Sequence, residues 1–394
     1  MRDFWEDVVK ILSVAWAIND SRLREFTHNV TGAGIVIRNL AEELGKNIDS
    51  YLFVGKYILP ETKLGHITLV KTDYEFERSG IDDLSENEIH LQRMTRAFIR
   101  ALETIKPDVV NFHSSGDLTL RCMKVCIEKS VSYVFTEHLF IELDQTYGSY
   151  ERYVEWEKSI LKTPDLKIIA VSTGVKKKIL QAFPSLLQTN IKVIPNGTDF
   201  EKIPEDIVLK SRYCTENTKV LLCVGTIMVR KNQRQIVKAF QLLPEAVKNT
   251  LKIVFCGKDT MKGALQNDIA EAGLEDCLIC VGAIDSNEMK KYYSIADGLI
   301  MPSLAEGLSI ASLEAISCGL PIIIFSDSEY ADDLSDNRVV CFAQERTDFG
   351  LAKAIEDWYD REWDRDYIID YAKFFTLERM ANDYIEYYKE ICGK

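Results

Sequence analysis

The sequence has no apolar run approaching the roughly 20 residues that a membrane-spanning helix requires, so no helical bilayer span is predicted. Its first residues, MRDFWEDVVK, mix charges rather than form the apolar stretch of a secretory signal, and a cytoplasmic chain is expected. A disulfide framework is missing as well. Of the ten cysteines, Cys277 and Cys280 form a CxxC, but it lies in the strand-like "CLICVG", where positions three apart point to opposite faces. No second pair completes a zinc site. Free, buried thiols in a reducing compartment are the expectation. Positive charge is also in deficit. The chain carries 48 Lys+Arg against 61 Asp+Glu, a formal net charge of −13, which argues against a nucleic-acid partner.

The composition that remains is globular. At 394 residues, with 46% hydrophobic and 28% charged, the chain exceeds what one core usually serves and is too apolar for disorder. The acidity is uneven. Residues 1–200 hold 25 Lys+Arg against 28 Asp+Glu, a balance of −3, and residues 201–394 hold 23 against 33, a balance of −10. The two halves are thus expected to present different surfaces to different partners.

Short continuous apolar runs alternate with amphipathic stretches along the whole chain. "KILSVAWAI", "SYLFVG", "HITLV", "DVVNFH", "SYVFTEH", "LKIIAVS" and "IKVIPNG" read as buried strands, with helices such as 33–44, 87–105 and 173–182 among them. The pattern restarts after residue 200 with "KVLLCVG", "LKIVFCG", "CLICVG", "GLIMP", "PIIIF" and "RVVCF". Helices are expected there near 232–244, 260–272, 286–295, 308–318 and 347–359. Alternation of this kind implies an α/β fold with two parallel sheets, each covered by helices. The polar stretch 198–217 is the expected boundary. Ligands of such sheets lie beyond the carboxyl ends of the strands, and two such domains suggest a cleft between them. The segments that follow strands are therefore the candidates: "TGAG" (31–34), His138, "VST" (171–173), "PNGTD" (195–199), "GTIMVRK" (225–231) and Glu306.

One segment combines carboxylates with apolar neighbours. In "PSLAEGLSIASLEAISCGLP" (302–321), Glu306 and Glu314 are eight positions apart in an Ala/Ser/Leu-rich setting. Burying a carboxylate without a partner is costly, so something polar must meet both groups. "EGLSIASLE" followed by "AISCGLPII" closely resembles the E-x7-E segment of family 4 (group 1) retaining glycosyltransferases, nucleotide-sugar-dependent enzymes of the GT-B fold. The resemblance covers most of the chain. "VGTIMVRKNQ" is similar to the family's phosphate-binding loop, "VIPNGTD" with Asn196 to its strand at the domain junction, and "FTLERMANDYIEYYKEI" to its closing helix. "TGAG" resembles the glycine loop of the acceptor-side domain.

The resemblance implies two Rossmann-like domains facing across a cleft. Residues 1–200, joined by a returning helix at 373–394, would bind the acceptor, and residues 201–372 would bind the nucleotide sugar. Phe374, Phe375, Met380, Tyr384 and Tyr388 would dock the returning segment. By the same resemblance Glu314 accepts from ribose hydroxyls and Glu306 from donor-sugar hydroxyls, since a carboxylate offers two acceptor oxygens to a vicinal pair. The diphosphate would lie between them over the start of a helix beginning near Leu308, with Glu314 about two turns inside it. Gly307 admits close backbone approach. Ser309 stands where many relatives carry Gly and is expected to narrow the site. Arg230 and Lys231, beside Gly225, would supply the cations that stabilise the leaving diphosphate in place of a metal. No metal or other cofactor is expected, and the nucleotide sugar is a co-substrate. Gly34 would sit over the diphosphate, with Gly32 shaping the turn. A nicotinamide fingerprint fails as a reading of "TGAG", because Ile37 fills its third glycine position.

His138 matches a position where relatives often carry a histidine near the donor sugar, and His113 in "NFHSSGD" is its rival. A backbone-satisfied histidine is the plain alternative for either. UDP leads GDP on family frequency, and the acceptor is a glycan, a lipid-linked or a protein-linked group. A catalytically inactive partner subunit is the competing function. Such subunits typically lose the glutamates or the Arg-Lys pair, and all four are kept here. Tyr147, Tyr150, Tyr153 and Trp156 recur every three residues and read as a helix packing face ahead of an acceptor wall. Arg93, Arg96 and Arg100 share a helix face, read as solvated ahead of a peripheral membrane contact.

Overall fold

The computed structural model describes residues 9–18, 32–75, 84–140, 151–215 and 217–394. The chain divides into two compact units. Among the described residues, the first comprises 9–140, 151–197 and Leu377–Lys394, and the second Thr198–Thr376.

The first unit is built on β1 (Lys10–Ala15), β2 (Asp49–Val54), β3 (Thr62–Leu64), β4 (Ile67–Leu69), β5 (Val109–Phe112), β6 (Ser132–Glu137), β7 (Lys167–Ala170) and β8 (Ile191–Val193). Their order in the sheet is β3-β4-β2-β1-β5-β6-β7-β8. Only β3 and β4 pair antiparallel, in a hairpin turning at Gly65, whose φ of 66° lies in the left-handed region. Residues of β5 are buried on both faces, as expected of strands covered by helices on each side.

The second unit holds β9 (Lys219–Val224), β10 (Leu251–Cys256), β11 (Leu278–Gly282), β12 (Gly298–Met301), β13 (Ile322–Phe325) and β14 (Val340–Ala343) in the order β11-β10-β9-β12-β13-β14, all parallel. Its core packs Leu221, Phe240, Phe255, Ile323 and Trp358 together. Cys277 and Cys280 pack against the same cluster, and all ten cysteines are free thiols.

The closing helix, Leu377–Cys392, buries Leu377, Met380, Ala381, Tyr384, Tyr387 and Tyr388, an i, i+3, i+4, i+7 stripe. It packs on the helix Gly32–Leu44 and on β5 and β6, within the first unit. Met380, Tyr384 and Tyr388 thus form the docking face. Phe374 and Phe375 do not: they precede the helix in a 3-10 turn of the second unit, and Phe374 is exposed. The helix also carries a polar pin. Asn111 Nδ2 of β5 donates to the Tyr388 hydroxyl at 2.7 Å, while Thr136 Oγ1 of β6 donates to Asn111 Oδ1 at 2.9 Å. Tyr388→Phe leaves the buried Asn111 amide without an acceptor, so a loss of about 1–3 kcal/mol is expected. Urea unfolding reads it as a lower midpoint, and an unchanged midpoint would show that the pin contributes nothing.

Two further expectations are corrected. The rings of Tyr153 and Trp156 meet edge to face at 5.0 Å, but the buried side of their helix, Glu151–Leu161, is Glu157, Ile160 and Leu161. The aromatic stripe is offset from that face, with Tyr153 exposed. Tyr147 and Tyr150 lie outside the described residues. Arg93 and Arg100 do not form a simple solvated row. Arg93 donates to the Tyr74 carbonyl at 2.9 Å, and the Arg100 guanidinium lies over the Tyr74 ring.

Candidate active site

The strand order of the second sheet reverses between β9 and β12, the topological switch point at which open parallel sheets place their ligands. The loops beyond these two strands hold the sequence-predicted cations and the first glutamate. Gly225 ends β9 with φ 134°, a conformation open to glycine. The chain then makes a 3-10 turn over Val229–Lys231, closed by Asn232 at φ 57°. This turn is tied to the β12 loop by its backbone, the Leu304 N–H donating to the Arg230 carbonyl at 2.8 Å.

Three charges converge there. Arg230 Nη1 donates to the Ala305 carbonyl at 2.8 Å and to Glu306 Oε2 at 3.1 Å. Lys231 Nζ donates to the same Oε2 at 2.5 Å. Burial alone would raise the Glu306 carboxyl. The Lys231 and Arg230 charges and their hydrogen bonds outweigh it and hold the group below its ordinary range. Glu306 is therefore a fixed carboxylate. Its backbone N–H donates to Oε2 of the buried Glu329 at 3.0 Å, so a second carboxylate holds the loop from behind.

Glu314 has a different environment. It lies on the helix Ile310–Ser317, whose N-cap is Ser309. The Ser309 hydroxyl accepts from the Ser312 N–H at 3.3 Å and is buried. One expectation changes, and one residue gains a role. The helix starts at Ile310 rather than near Leu308, so Glu314 is little more than one turn inside. The Ser309 hydroxyl serves the helix end, a role its position before an apolar run could have signalled. Glu314 Oε2 accepts from the Tyr293 hydroxyl at 2.9 Å. Burial pushes the Glu314 carboxyl up to about 7, with the Tyr293 hydrogen bond opposing the rise and Asp199 adding to it. Two glutamates eight residues apart thus carry opposite perturbations. Gly307 and Leu308, between them, are buried.

In the first unit, His113 follows β5 and His138 follows β6. The two side chains meet, with His113 Nδ1 and His138 Nε2 3.1 Å apart. Gly32 and Gly34 open the helix Gly32–Leu44. Among the described residues, a Cβ on Gly32 would meet nothing. Asn196, after β8, is buried. Sequence reasoning missed Tyr293 and Glu329. Both are separated from their partners by some twenty residues, and no local spacing signals them.

Residues 209–374 match the family model described as glycosyl transferases group 1, and residues 30–202 match the one described as glycosyltransferase family 4. An uncharacterised glycosyltransferase of Methanocaldococcus jannaschii is 23% identical over 56% of this chain and 57% of its own length. An uncharacterised 41.2 kDa protein in the cps region of Klebsiella pneumoniae is 24% identical over 91% of this chain and 96% of its own. The O-antigen chain mannosyltransferase B of Escherichia coli is 24% identical over 62% and 66%. The chain thus spans about three fifths of the length of the first and two thirds of the third. Among solved structures, WaaG, a glycosyltransferase involved in lipopolysaccharide biosynthesis, superposes with a TM-score of 0.70 at 14% identity, over 98% of this chain and 100% of that one. Anabaena HepE, in complex with UDP and glucose, gives 0.71 at 14%, over 96% and 99%. The fold is GT-B, and the chain belongs to the group 1, family 4 glycosyltransferases. Among the described residues no helix is long and apolar enough to cross a membrane.

The Glu314 environment makes a prediction about stability. Its carboxyl titrates at about 7 in the folded chain against an ordinary 4.5, so the folded state holds the proton more tightly. Stability therefore falls as pH rises from about 4.5 to about 7, by roughly 3 kcal/mol for this group. Glu314→Gln should remove that decline. Urea midpoints at pH 5 and pH 8 for both proteins measure it, and identical pH dependence would contradict the assignment.

Proposed function

We propose that this glycosyltransferase moves a sugar from a nucleotide diphosphate donor, UDP ahead of GDP, to a glycan, lipid-linked or protein-linked acceptor, with retention at the anomeric carbon. The observation that carries the reading is the ion cluster of Arg230 and Lys231 with Glu306 at the switch point of the second sheet. Bond cleavage transfers negative charge to the departing diphosphate. Two cations fixed by backbone and carboxylate contacts stabilise that charge without reorganising. The Arg230 and Lys231 contacts of the Glu306 side chain both fall on Oε2, a geometry suited to a carboxylate that meets sugar hydroxyls through its other oxygen. Glu314, with one oxygen occupied by Tyr293, is suited to a neutral vicinal diol such as a ribose. The UDP and glucose in the HepE complex support a nucleotide-sugar donor, and the mannosyltransferase relative supports a place in cell-surface polysaccharide synthesis.

No carboxylate pair with the spacing of a retaining glycosidase is assigned here. Retention then proceeds on one face of the sugar, the leaving phosphate oxygen taking the acceptor proton. Arg230 and Lys231 do the electrostatic work of a metal, so turnover of a UDP-sugar should survive EDTA. Loss with EDTA and recovery with Mg²⁺ or Mn²⁺ would overturn the charge assignment.

The two glutamates separate in kinetics. Glu314→Gln should raise the donor KM and weaken free UDP by about ten- to hundredfold, since it binds the same group in ground and transition states. Glu306→Gln should lower kcat and leave UDP affinity nearly unchanged, because positive charge develops at the sugar only as the bond breaks. Calorimetry with UDP beside steady-state rates tests both. The reverse pattern would exchange the roles, and no effect from either variant would overturn the reading.

A further inference from the structure

The first unit has a switch point of its own. Its sheet order β3-β4-β2-β1-β5-β6-β7-β8 reverses between β1 and β5, so a ligand of this unit belongs beyond the carboxyl ends of those two strands. The residue that β1 presents there is Trp16, directly after Ala15. Its main chain is held as if the sheet continued. The Trp16 N–H donates to Ser114 Oγ at 3.0 Å, two residues beyond the Val14–Phe112 pair on each strand. On the other side, the Lys56 N–H donates to the Trp16 carbonyl at 2.9 Å.

The side chain is seated as well. Its indole meets the His90 ring edge to face, with centroids 6.0 Å apart and an interplanar angle of 86°. His90 Nε2 donates to the Gly55 carbonyl at 2.8 Å, which fixes that ring in turn. Gly55 must be bare, because a Cβ there would fall 2.3 Å from Leu118 Cδ2 and 3.5 Å from Trp16 Cε3. Trp16 is nevertheless 40% exposed. Single exposed aromatics are ordinary on a surface. This one is locked where the ligand of its sheet belongs. The polar groups at the same end select the ligand. Arg121 donates to Glu88 Oε1 and Oε2 at 3.0 and 2.8 Å and to Asp117 Oδ1 at 3.0 Å. It thereby holds two partly exposed carboxylates at the starts of the helices Glu86–Ile105 and Asp117–Glu128. Each carboxylate keeps lone pairs for hydroxyl donors, and the Ser114 hydroxyl, which accepts from Trp16, keeps a proton to donate. Glu88 and Asp117 are matched by Arg121 and by Lys56 beside Gly55, so no net positive charge gathers for a phosphate. A neutral ring with an apolar face and hydroxyls at its rim fits: its C–H groups meet the negative face of the indole, and its hydroxyls meet the acceptors.

We propose that the first unit binds one pyranose ring of a glycan, stacked on Trp16 at the β1–β5 switch point, with Ser114 and the Arg121-bound carboxylates of Glu88 and Asp117 as partners of its hydroxyls. The site is a property of this unit alone. It rests on the proposed sugar transfer only in assigning that ring to the acceptor, and it selects a sugar-bearing acceptor over a protein side chain.

The test is saturation-transfer NMR of the full-length protein with the methyl β-pyranosides of glucose, galactose and N-acetylglucosamine and the methyl α-pyranosides of mannose and rhamnose, beside calorimetry with UDP. At least one glycoside should receive saturation from the wild-type protein, strongest on the ring protons of one face. Trp16→Ala should weaken its binding about tenfold, and Trp16→Phe, which keeps a smaller aromatic face, should weaken it less. Saturation of no glycoside by the wild-type protein would overturn the proposal before any variant is made. Equal binding by Trp16→Ala would overturn it too. UDP binding without glycoside binding would count against the Trp16 site and leave the nucleotide donor standing. Glycoside binding that depends on Trp16, without UDP binding, would support the site and count against the nucleotide donor.

Discussion

A carboxylate withdrawn from water stays ionised only if positive charge is supplied at contact distance, and Glu306 is such a group. Its side chain is 16% exposed, and those of Arg230 and Lys231 are 15% and 13% exposed. Removing one member of such a cluster leaves an uncompensated buried charge, so the three side chains hold one another in place. The loops that carry them are fixed as a consequence. The β9 loop is bound to the β12 loop through Arg230 by both its carbonyl and its guanidinium. Glu329 then fastens the Glu306 backbone from the side of β13.

The second glutamate shows how position along a helix changes chemistry. Glu306 sits in a loop, within reach of a neighbouring strand's cations. Glu314 sits on a short apolar helix and accepts from the hydroxyl of the buried Tyr293. One environment favours the ion and the other opposes it. A segment of nine residues thus offers a permanent charge and a group whose ionisation responds near neutrality, the separation of carboxylates that acid–base sites rely on.

Much of this was legible in the sequence. The thirteen apolar runs read as strands all occur as strands, because a strand buried on both faces must be continuously apolar. The E-x7-E and Arg-Lys segments were recognised as a family resemblance, and the structure brings Glu306, Arg230 and Lys231 together. The failures have local causes. The three-residue strand Thr62–Leu64 is too short to leave a pattern. The aromatic repeat around Tyr153 imitated a buried helix face, because a period of three resembles 3.6 over a few residues. Ser309 was judged by what relatives carry there, and its ability to cap a helix was overlooked. The contact between His113 and His138, 25 positions apart, was not foreseen. Parallel pairing of β5 with β6 removes that distance, and no sequence period encodes it.

The place where β9 passes beside β10 sets the reach of the site. A Cβ on Gly257 would fall 1.9 Å from the Gly225 carbonyl oxygen, so the two backbones touch with nothing between them. The cation-bearing loop is therefore gauged against its neighbour by main chain alone. Ile227, two residues beyond Gly225, is buried in the core and holds the loop to the β10 side through its backbone as well. The electrostatic centre stays in register with the sheet because its origin is drawn in backbone.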